Sequence, residues 1–174
     1  EALKGVVLAF GTSARQRALE WPLCSPKECA QQAITELHTG IALVFGRENS
    51  GLTNDELAMC HAHVNIDTNA NFSSLNLAAA VQVLCYELRM AWQDSQDQIP
   101  KEPINCDEGE LLANADEVIN FMSHLEQLLI NINVLDPSHP KLLMRRLQRL
   151  FHRSRLKKNE INILRGIFKA IDNQ

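Results

Sequence analysis

A chain of 174 residues, 45% hydrophobic and 22% charged, has the composition of one folded domain, or of one domain with a small appendage. No apolar run approaches the roughly 20 residues that cross a bilayer, which excludes a membrane-spanning helix. The five cysteines follow no disulfide or zinc-ribbon spacing, so we expect reduced thiols in a cytoplasmic protein. The net charge of −4 conceals an asymmetry, because residues 141–158 hold eight basic side chains and no acidic one. A polyanion would therefore be bound locally, near the C-terminal end.

Three short apolar segments predict the strands of a sheet. The runs "GVVLAFG" (5–11) and "IALVFG" (41–46) are continuous and end in glycine, as is typical of strands buried on both faces of a parallel sheet. The segment "AHVNID" (62–67) alternates in polarity and predicts a third strand, nearer an edge of the sheet. Because helical segments separate these runs, the sequence predicts an α/β fold.

Capping signals mark where helices of the same region begin. The segments "SPKE" (25–28) and "TNDE" (53–56) each place Ser or Thr at the N-cap and glutamate three residues later. A longer helix is predicted from Ser74 to about Trp92. Its apolar stripe is formed by Leu77, Val81, Leu84 and Leu88.

The second half of the chain predicts a helical extension. Residues 95–107 contain two prolines and no periodicity, so we expect a linker between a sheet domain (1–94) and a helical region (108–174). Three helices are predicted there, at about 108–131, 140–152 and 160–171. The inward side chains expected on the last two are Leu143, Leu147, Leu150 and Phe151, then Ile163, Leu164, Ile167, Phe168 and Ile171.

The loops that follow the three predicted strands indicate a ligand pocket. In an open α/β sheet, ligands bind beyond the carboxyl ends of the strands. The loops "GTSARQR", "GRENSGLT" and "TNANFSSLN" occupy that place. Gly11 and Gly46 would let the backbone approach a ligand, and a helix beginning near Ser74 would offer free N–H groups. These features predict a pocket without specifying its ligand.

Longer motifs carry a resemblance to a known family. The segments "ALVFGRENSGLTNDELAMC" and "FSSLNLAAAVQVLCYELR", preceded by "GTSAR" and "WPL", resemble the SPOUT-class RNA methyltransferases. Among these, the chain is most similar to bacterial enzymes that methylate the 2′-oxygen of nucleotide 32 in tRNA. The resemblance continues into the C-terminal segments "HLEQLL", "RRLQRLF" and "NILRGI". It implies an α/β sheet tied into a trefoil knot, with S-adenosyl-L-methionine bound inside the knot and two subunits paired across it.

The resemblance also implies roles for individual residues. Ser74, in the "SLN" motif, matches a position implicated in catalysis. The positions that would contact the cofactor are Thr12, Ser13, Ala14, Gly46, Ile66, Ser73, Ser74 and Leu75. Contacts with tRNA are expected from two loops and from the basic helix, through Arg15, Arg17, Arg47, Arg145, Arg146 and Arg149.

One catalytic group of the family has no counterpart in this sequence. Methyl transfer to a ribose oxygen depends mainly on positioning, but the 2′-hydroxyl still needs a group that polarises it. In the family this role falls largely to an arginine in an N-terminal motif of the type N-x-G-S-x-A-R. The sequence begins after the place of that motif, as expected for a piece of a longer protein or for a chain that has lost it. Only loss of the motif would abolish activity.

Structural interpretations of the same residues stay open. Arg47 and Glu48 could form a surface ion pair, and Arg15, Arg17 and the basic helix could be solvated. Cys60, His61 and His63 are close in sequence but have no fourth ligand nearby, so no metal site is predicted. The alternative function is a non-catalytic dimeric module that binds RNA through its basic helix. An enzyme acting on a nucleotide phosphate is disfavoured because no phosphate-binding glycine motif is present.

Overall fold

The computed structural model describes residues 2–14, 22–36, 39–69, 75–96, 107–138 and 142–173. The chain divides into two compact units. The sheet unit comprises residues 8–104, and the helical unit comprises residues 1–7 together with 105–174. The domain boundaries expected from the sequence, with a linker at 95–107, stay a prediction. None of the helices in the described ranges is long and apolar enough to cross a membrane.

Within the described residues, the sheet has four strands in the order β2-β4-β1-β3. They are β1 (Val6–Thr12), β2 (Leu23–Cys24), β3 (Gly40–Val44) and β4 (Ala62–Val64). Strand β4 pairs in parallel with both β1 and β2. The expectation that this strand lies nearer an edge is therefore wrong. Its alternating pattern arises from a buried histidine, because the His63 ring nitrogen lies 3.4 Å from the Leu57 carbonyl oxygen and is satisfied inside the core.

The described part of the sheet unit contains three helices: α1 (Pro26–Thr35), α2 (Asn54–Ala58) and α3 (Leu77–Ser95). Both predicted capping boxes are present, at the starts of α1 and α2. The long helix begins later than predicted, because the side chain of Asn76 accepts a hydrogen bond from the Ala78 amide at 2.8 Å and caps α3. The core joins strands to helices through Leu8, Phe10, Cys24, Cys29, Ala33, Ala62, Val64 and Leu84.

The helical unit contains a short 3₁₀ turn (Glu108–Glu110) and helices α4 (Ala115–Asn131), α5 (Leu143–Ser154) and α6 (Lys158–Asp172). The helix predicted from residue 108 is therefore interrupted before α4. There, Leu112 forms a bridge with Lys157 instead, and the Ala113 amide donates to the Leu156 carbonyl at 2.9 Å. Asn114 then starts α4 with a capping box of its own.

Phe121 lies at the centre of the second core. Its ring meets Phe151 edge-on at 4.8 Å and stacks on Phe168 at 5.6 Å. Four side chains that were expected to point inward are exposed: Leu150, Ile163, Ile167 and Ile171. On α6 the sequence contains two apolar stripes, and the core uses the one that carries Ile161 and Phe168.

Candidate functional site

A cleft of about 210 Å³ lies where the carboxyl ends of the strands meet. Thr12 ends β1, Val64 ends β4, and Phe45 follows β3, and all three line the cleft. Six of the eight predicted cofactor residues share this lining, although they come from four separate stretches of chain: Thr12, Ser13, Ala14, Gly46, Ile66 and Leu75. Ser73 and Ser74 lie outside the described residues. The six residues thus share one cavity, while their contact with a cofactor stays a prediction.

The floor of the cleft is held by hydrogen bonds between the strand ends. The Thr12 hydroxyl donates to the Val44 carbonyl at 3.1 Å, and the Ser13 amide donates to the Val64 carbonyl at 3.0 Å. The Asn65 side-chain amide donates to the Ser13 carbonyl at 3.0 Å. Sequence reasoning missed Asn65, although a polar residue directly after a strand was the signal. Together these bonds fix the spacing of β1, β3 and β4 at the base of the cleft.

A turn at residues 47–51 forms one wall of the cleft, and residues 45–52 all line it. The backbone of Arg47 pairs with that of Gly51, with N···O distances of 3.3 and 2.8 Å. Gly51 has φ +69°, a conformation that favours glycine. A Cβ added to Gly46 would lie 2.5 Å from the Gly51 Cα, with the Gly51 carbonyl carbon and the Leu52 amide nitrogen closer still. Gly46 is therefore needed where two segments of backbone touch.

The guanidinium of Arg47 forms a bidentate ion pair with Glu56 of α2. The nitrogen–oxygen distances are 3.2 and 3.0 Å. The same carboxylate accepts the Thr53 amide at 2.7 Å, completing the capping box. The Thr53 hydrogen bond first, and then Arg47, lower the pKa of Glu56 to about 2. The ion partner of Arg47 is thus Glu56, nine positions away, whereas the sequence suggested Glu48.

The arginines predicted to contact tRNA fall into three groups. Arg15 and Arg17 lie outside the described residues, and Arg47 lines the cleft. Arg145 and Arg146 are exposed on α5, and Arg149 on the same helix is half-buried. Helix α5 contains no acidic residue, and its apolar side packs Leu147 and Phe151 against the core of the helical unit. Its charged side is therefore strongly cationic.

Cys60, His61 and His63 have structural roles in the sheet unit. The His61 Nδ1 accepts a hydrogen bond from the Ala9 amide at 3.1 Å. Burial raises the pKa of the Cys60 thiol to about 12, which keeps it protonated and unreactive. Among the residues that the structure describes, no group of three or more His, Cys, Asp or Glu side chains could hold a metal ion.

Comparisons with known proteins agree with the two-part architecture. The SpoU rRNA methylase family matches residues 3–86, and the C-terminal domain of tRNA methyltransferase TrmJ matches residues 116–174. The chain is 48% identical over 174 residues to the tRNA (cytidine/uridine-2′-O-)-methyltransferase TrmJ of Cronobacter sakazakii, covering 99% of this chain and 70% of that protein. It is 50% identical over 173 residues to the tRNA (cytidine/uridine/adenosine-2′-O-)-methyltransferase TrmJ of Pseudomonas aeruginosa, covering 96% and 67%.

A solved structure supports the same assignment. The crystal structure of TrmJ from Z. mobilis superposes with a TM-score of 0.80 at 26% identity, covering 98% of this chain and 70% of that one. The fold expected from the sequence, a SPOUT-type α/β sheet with C-terminal helices, is confirmed. Because a TrmJ protein is 48% identical to it over 99% of its length, the chain belongs to the TrmJ family of SpoU-class methyltransferases.

Proposed function

We propose that this protein transfers a methyl group from S-adenosyl-L-methionine to the 2′-oxygen of a ribose in tRNA. The proposed target is a cytidine or uridine at nucleotide 32 of the anticodon loop, and the proposed location is the cytoplasm. The observation that carries the proposal is the convergence of six predicted donor-binding residues on one cleft at the strand ends. Residues that are distant in sequence and meet in one cavity are expected at a binding site.

The composition of the cleft fits this donor. Ile66, Leu75, Leu77 and Ala80 offer an apolar surface, which suits a purine ring. Leu75 is 40% exposed, so a bound ligand would cover apolar surface that now faces solvent. The loop at 12–14 and the turn at 47–51 add polar backbone groups that could orient the rest of the donor. When bound, the donor supplies an electrophilic methyl group on a sulfonium sulfur.

Ser74 is the proposed catalytic residue. In sequence it immediately precedes Leu75, which lines the cleft, and a serine hydroxyl can both accept and donate a hydrogen bond. Its role would be to orient the reacting groups, since effective positioning supplies much of the rate in such transfers. The family's N-x-G-S-x-A-R motif does not occur in this sequence, so no residue of the chain is assigned its role.

Helix α5 is the proposed surface for tRNA. Arg145, Arg146 and Arg149 are spaced by one, three and four positions, which places them on neighbouring parts of one helical face. Neutralising phosphates with such cations releases counterions and makes the affinity depend on salt. The charge of α5 is therefore what favours a nucleic acid over an uncharged partner.

A second copy of the chain is the proposed partner of α3. This helix is 19 residues long and rich in apolar side chains. Among the residues that the structure describes, Leu84 is the one side chain of α3 that is buried. Tyr86 and Trp92 are 57% and 38% exposed. An interface with another subunit would remove this apolar surface from water. Sedimentation equilibrium should then give twice the mass of the chain.

Donor binding and product analysis test the proposal together. Isothermal titration should show S-adenosylmethionine binding, and mass spectrometry of digested tRNA should locate one added methyl group on a ribose. Ser74→Ala should lower transfer by roughly tenfold or more while far-ultraviolet circular dichroism stays unchanged. Ser95→Ala is the control, because Ser95 ends α3, about 27 Å along the helix from its first residue, Leu77. Protein that binds tRNA but no donor would instead support the non-catalytic module.

A further inference from the structure

We propose that Arg47 is a positioning residue whose pairing with Glu56 fixes the turn at 47–51 as a wall of the donor cleft. The inference rests on the proposed function, because the donor is what the wall would hold. It assigns Arg47 a role that differs from the tRNA contact expected from the sequence. The pair joins a polar turn of the cleft lining to a helix whose start is held by a capping box.

Among the contacts between described residues, few besides this pair hold the turn in place. Residues 47–50 are exposed, so burial of apolar side chains contributes little to their order. The backbone bridge between Arg47 and Gly51 closes the turn on itself but does not attach it to another element. The Arg47 guanidinium supplies that attachment, reaching across to α2 with two hydrogen bonds.

Glu56 is well suited to be the fixed end of the pair. It occupies the N3 position of α2, where its carboxylate accepts the Thr53 amide and the Thr53 hydroxyl accepts the Glu56 amide. The next residue, Leu57, is buried, and so is Leu52 at the end of the turn. Anchored from both sides in this way, the carboxylate presents both oxygens to one guanidinium.

The solvent exposure of the two side chains sets the expected effect of losing the pair. The side chains of Arg47 and Glu56 are 65% and 29% exposed, and pairs of this kind contribute little to global stability. The consequence should be local: without the pair the turn samples open conformations, and donor binding must then order it again. We expect about two- to fivefold weaker donor affinity, the range that corresponds to a partly exposed ion pair.

Four variants separate positioning from a direct charge effect. Arg47→Gln removes the guanidinium, and Glu56→Gln removes the charge while a Gln side chain can still cap α2. The double variant combines both changes. Arg47→Lys keeps the positive charge but cannot form the bidentate geometry. Glu28→Gln is the matched control, because Glu28 makes the same capping box with Ser25 in α1.

Titration with S-adenosylmethionine should show similar losses for Arg47→Gln, Glu56→Gln and the double variant, since one pair is lost in each case. Arg47→Lys should resemble Arg47→Gln, and Glu28→Gln should bind like the wild type. Hydrogen exchange of the Arg47 and Gly51 amides, which close the turn, should quicken in the four variants and stay unchanged in the control.

Other results would overturn the inference. Additive losses in the double variant, or donor affinity retained in all four variants, would show that the pair does not act as a unit. A donor affinity retained in Arg47→Lys, with a salt slope for tRNA binding lowered by about one in Arg47→Gln, would assign Arg47 to a phosphate instead. Wild-type protein that binds no donor would refute the proposed function, and unchanged exchange of the two amides would separately refute the ordering of the turn.

Discussion

Replacing Gly46 with alanine should disrupt the cleft more severely than any other single methyl addition to its wall. Gly46 leaves β3 and passes directly over Gly51 and Leu52. Its added Cβ would lie 2.5 Å from the Gly51 Cα, whereas ordinary contacts of this kind begin near 3.4 Å. The obstacle is backbone rather than the end of a flexible side chain, so the turn itself must move by about 1 Å.

The cost of Gly46→Ala in unfolding free energy can be estimated from the contacts that must change. Overpacking of a rigid site typically costs about 1–3 kcal/mol. Displacing the turn also weakens the two backbone hydrogen bonds between Arg47 and Gly51, each of which contributes about 1 kcal/mol. A loss of about 2–4 kcal/mol is therefore expected for the sheet unit. Donor binding should fall more than tenfold, because the displaced turn lines the cleft.

The chain offers both a selective probe and a matched control. Its two tryptophans, Trp21 and Trp92, belong to the sheet unit, so tryptophan fluorescence during urea unfolding follows that unit alone. Gly166→Ala makes the same chemical change in α6, where nothing lies within 4 Å of the added Cβ. That variant should stabilise the helical unit by about 0.5–1 kcal/mol, because glycine is a poor helix former, and leave the fluorescence transition of the sheet unit unchanged. Gly46→Ala with unchanged stability and donor affinity would refute the steric reasoning.

Two further predictions concern charge. Reversing Arg145, Arg146 and Arg149 to glutamate should weaken tRNA binding and flatten its dependence on salt, and an unchanged salt slope would count against α5 as the tRNA surface. Burial lowers the pKa of His152 to about 4 from its ordinary 6.5, so the unfolded chain gains a proton first as pH falls. The contribution of neutral His152 to the free energy of unfolding should be fully present above pH 6.5 and fall by up to about 3 kcal/mol towards pH 4. Urea unfolding of His152→Gln should lack this decline. Equal declines in the variant and the wild type would contradict the assignment.

Local signals in the sequence were sufficient to predict structural features that depend on interactions between nearby residues. The capping boxes of α1 and α2 join residues three positions apart, and both were predicted and are present. The predicted start of α3 was wrong because Asn76, Ser73 and Ser74 are all residue types that can cap a helix. Which of them does so depends on where the helix packs. Pattern reading therefore located helices better than it located their first residues.

The placement of β4 and the inner face of α6 depended on contacts that no local pattern records. An alternating strand indicates one solvent-facing side unless its polar residues find partners inside the core, as His63 does with Leu57. Ile163 and Ile167 repeat with the same helical spacing as the buried side chains of α6. Two equivalent stripes give two equally good predictions, and only the neighbours of the helix decide between them.

The convergence of the cleft residues could be expected because parallel strands end at one edge of a sheet. The Arg47–Glu56 pair was missed, since the sequence offered an acidic neighbour at Glu48 and the true partner follows an intervening turn and helix cap. Here the turn brings residues nine positions apart together, so the pair could be proposed only once the path of residues 47–56 was known.

Substitutions at the two glycines and in the exposed turn should have different effects on the stability of the sheet unit and on donor affinity. A Cβ on Gly11 would meet Leu57 Cδ2 at 2.9 Å and Cys60 Sγ at 3.0 Å, just as one on Gly46 would meet the backbone of the turn. Gly11 thus lies against the α2 region and Gly46 against the turn, and changes at either glycine should affect the core and the cleft together. Residues 47–50 are exposed and contribute little to the core. Changes at those positions should alter donor affinity while the sheet unit keeps its stability, because an exposed wall can be reshaped without repacking what lies beneath it.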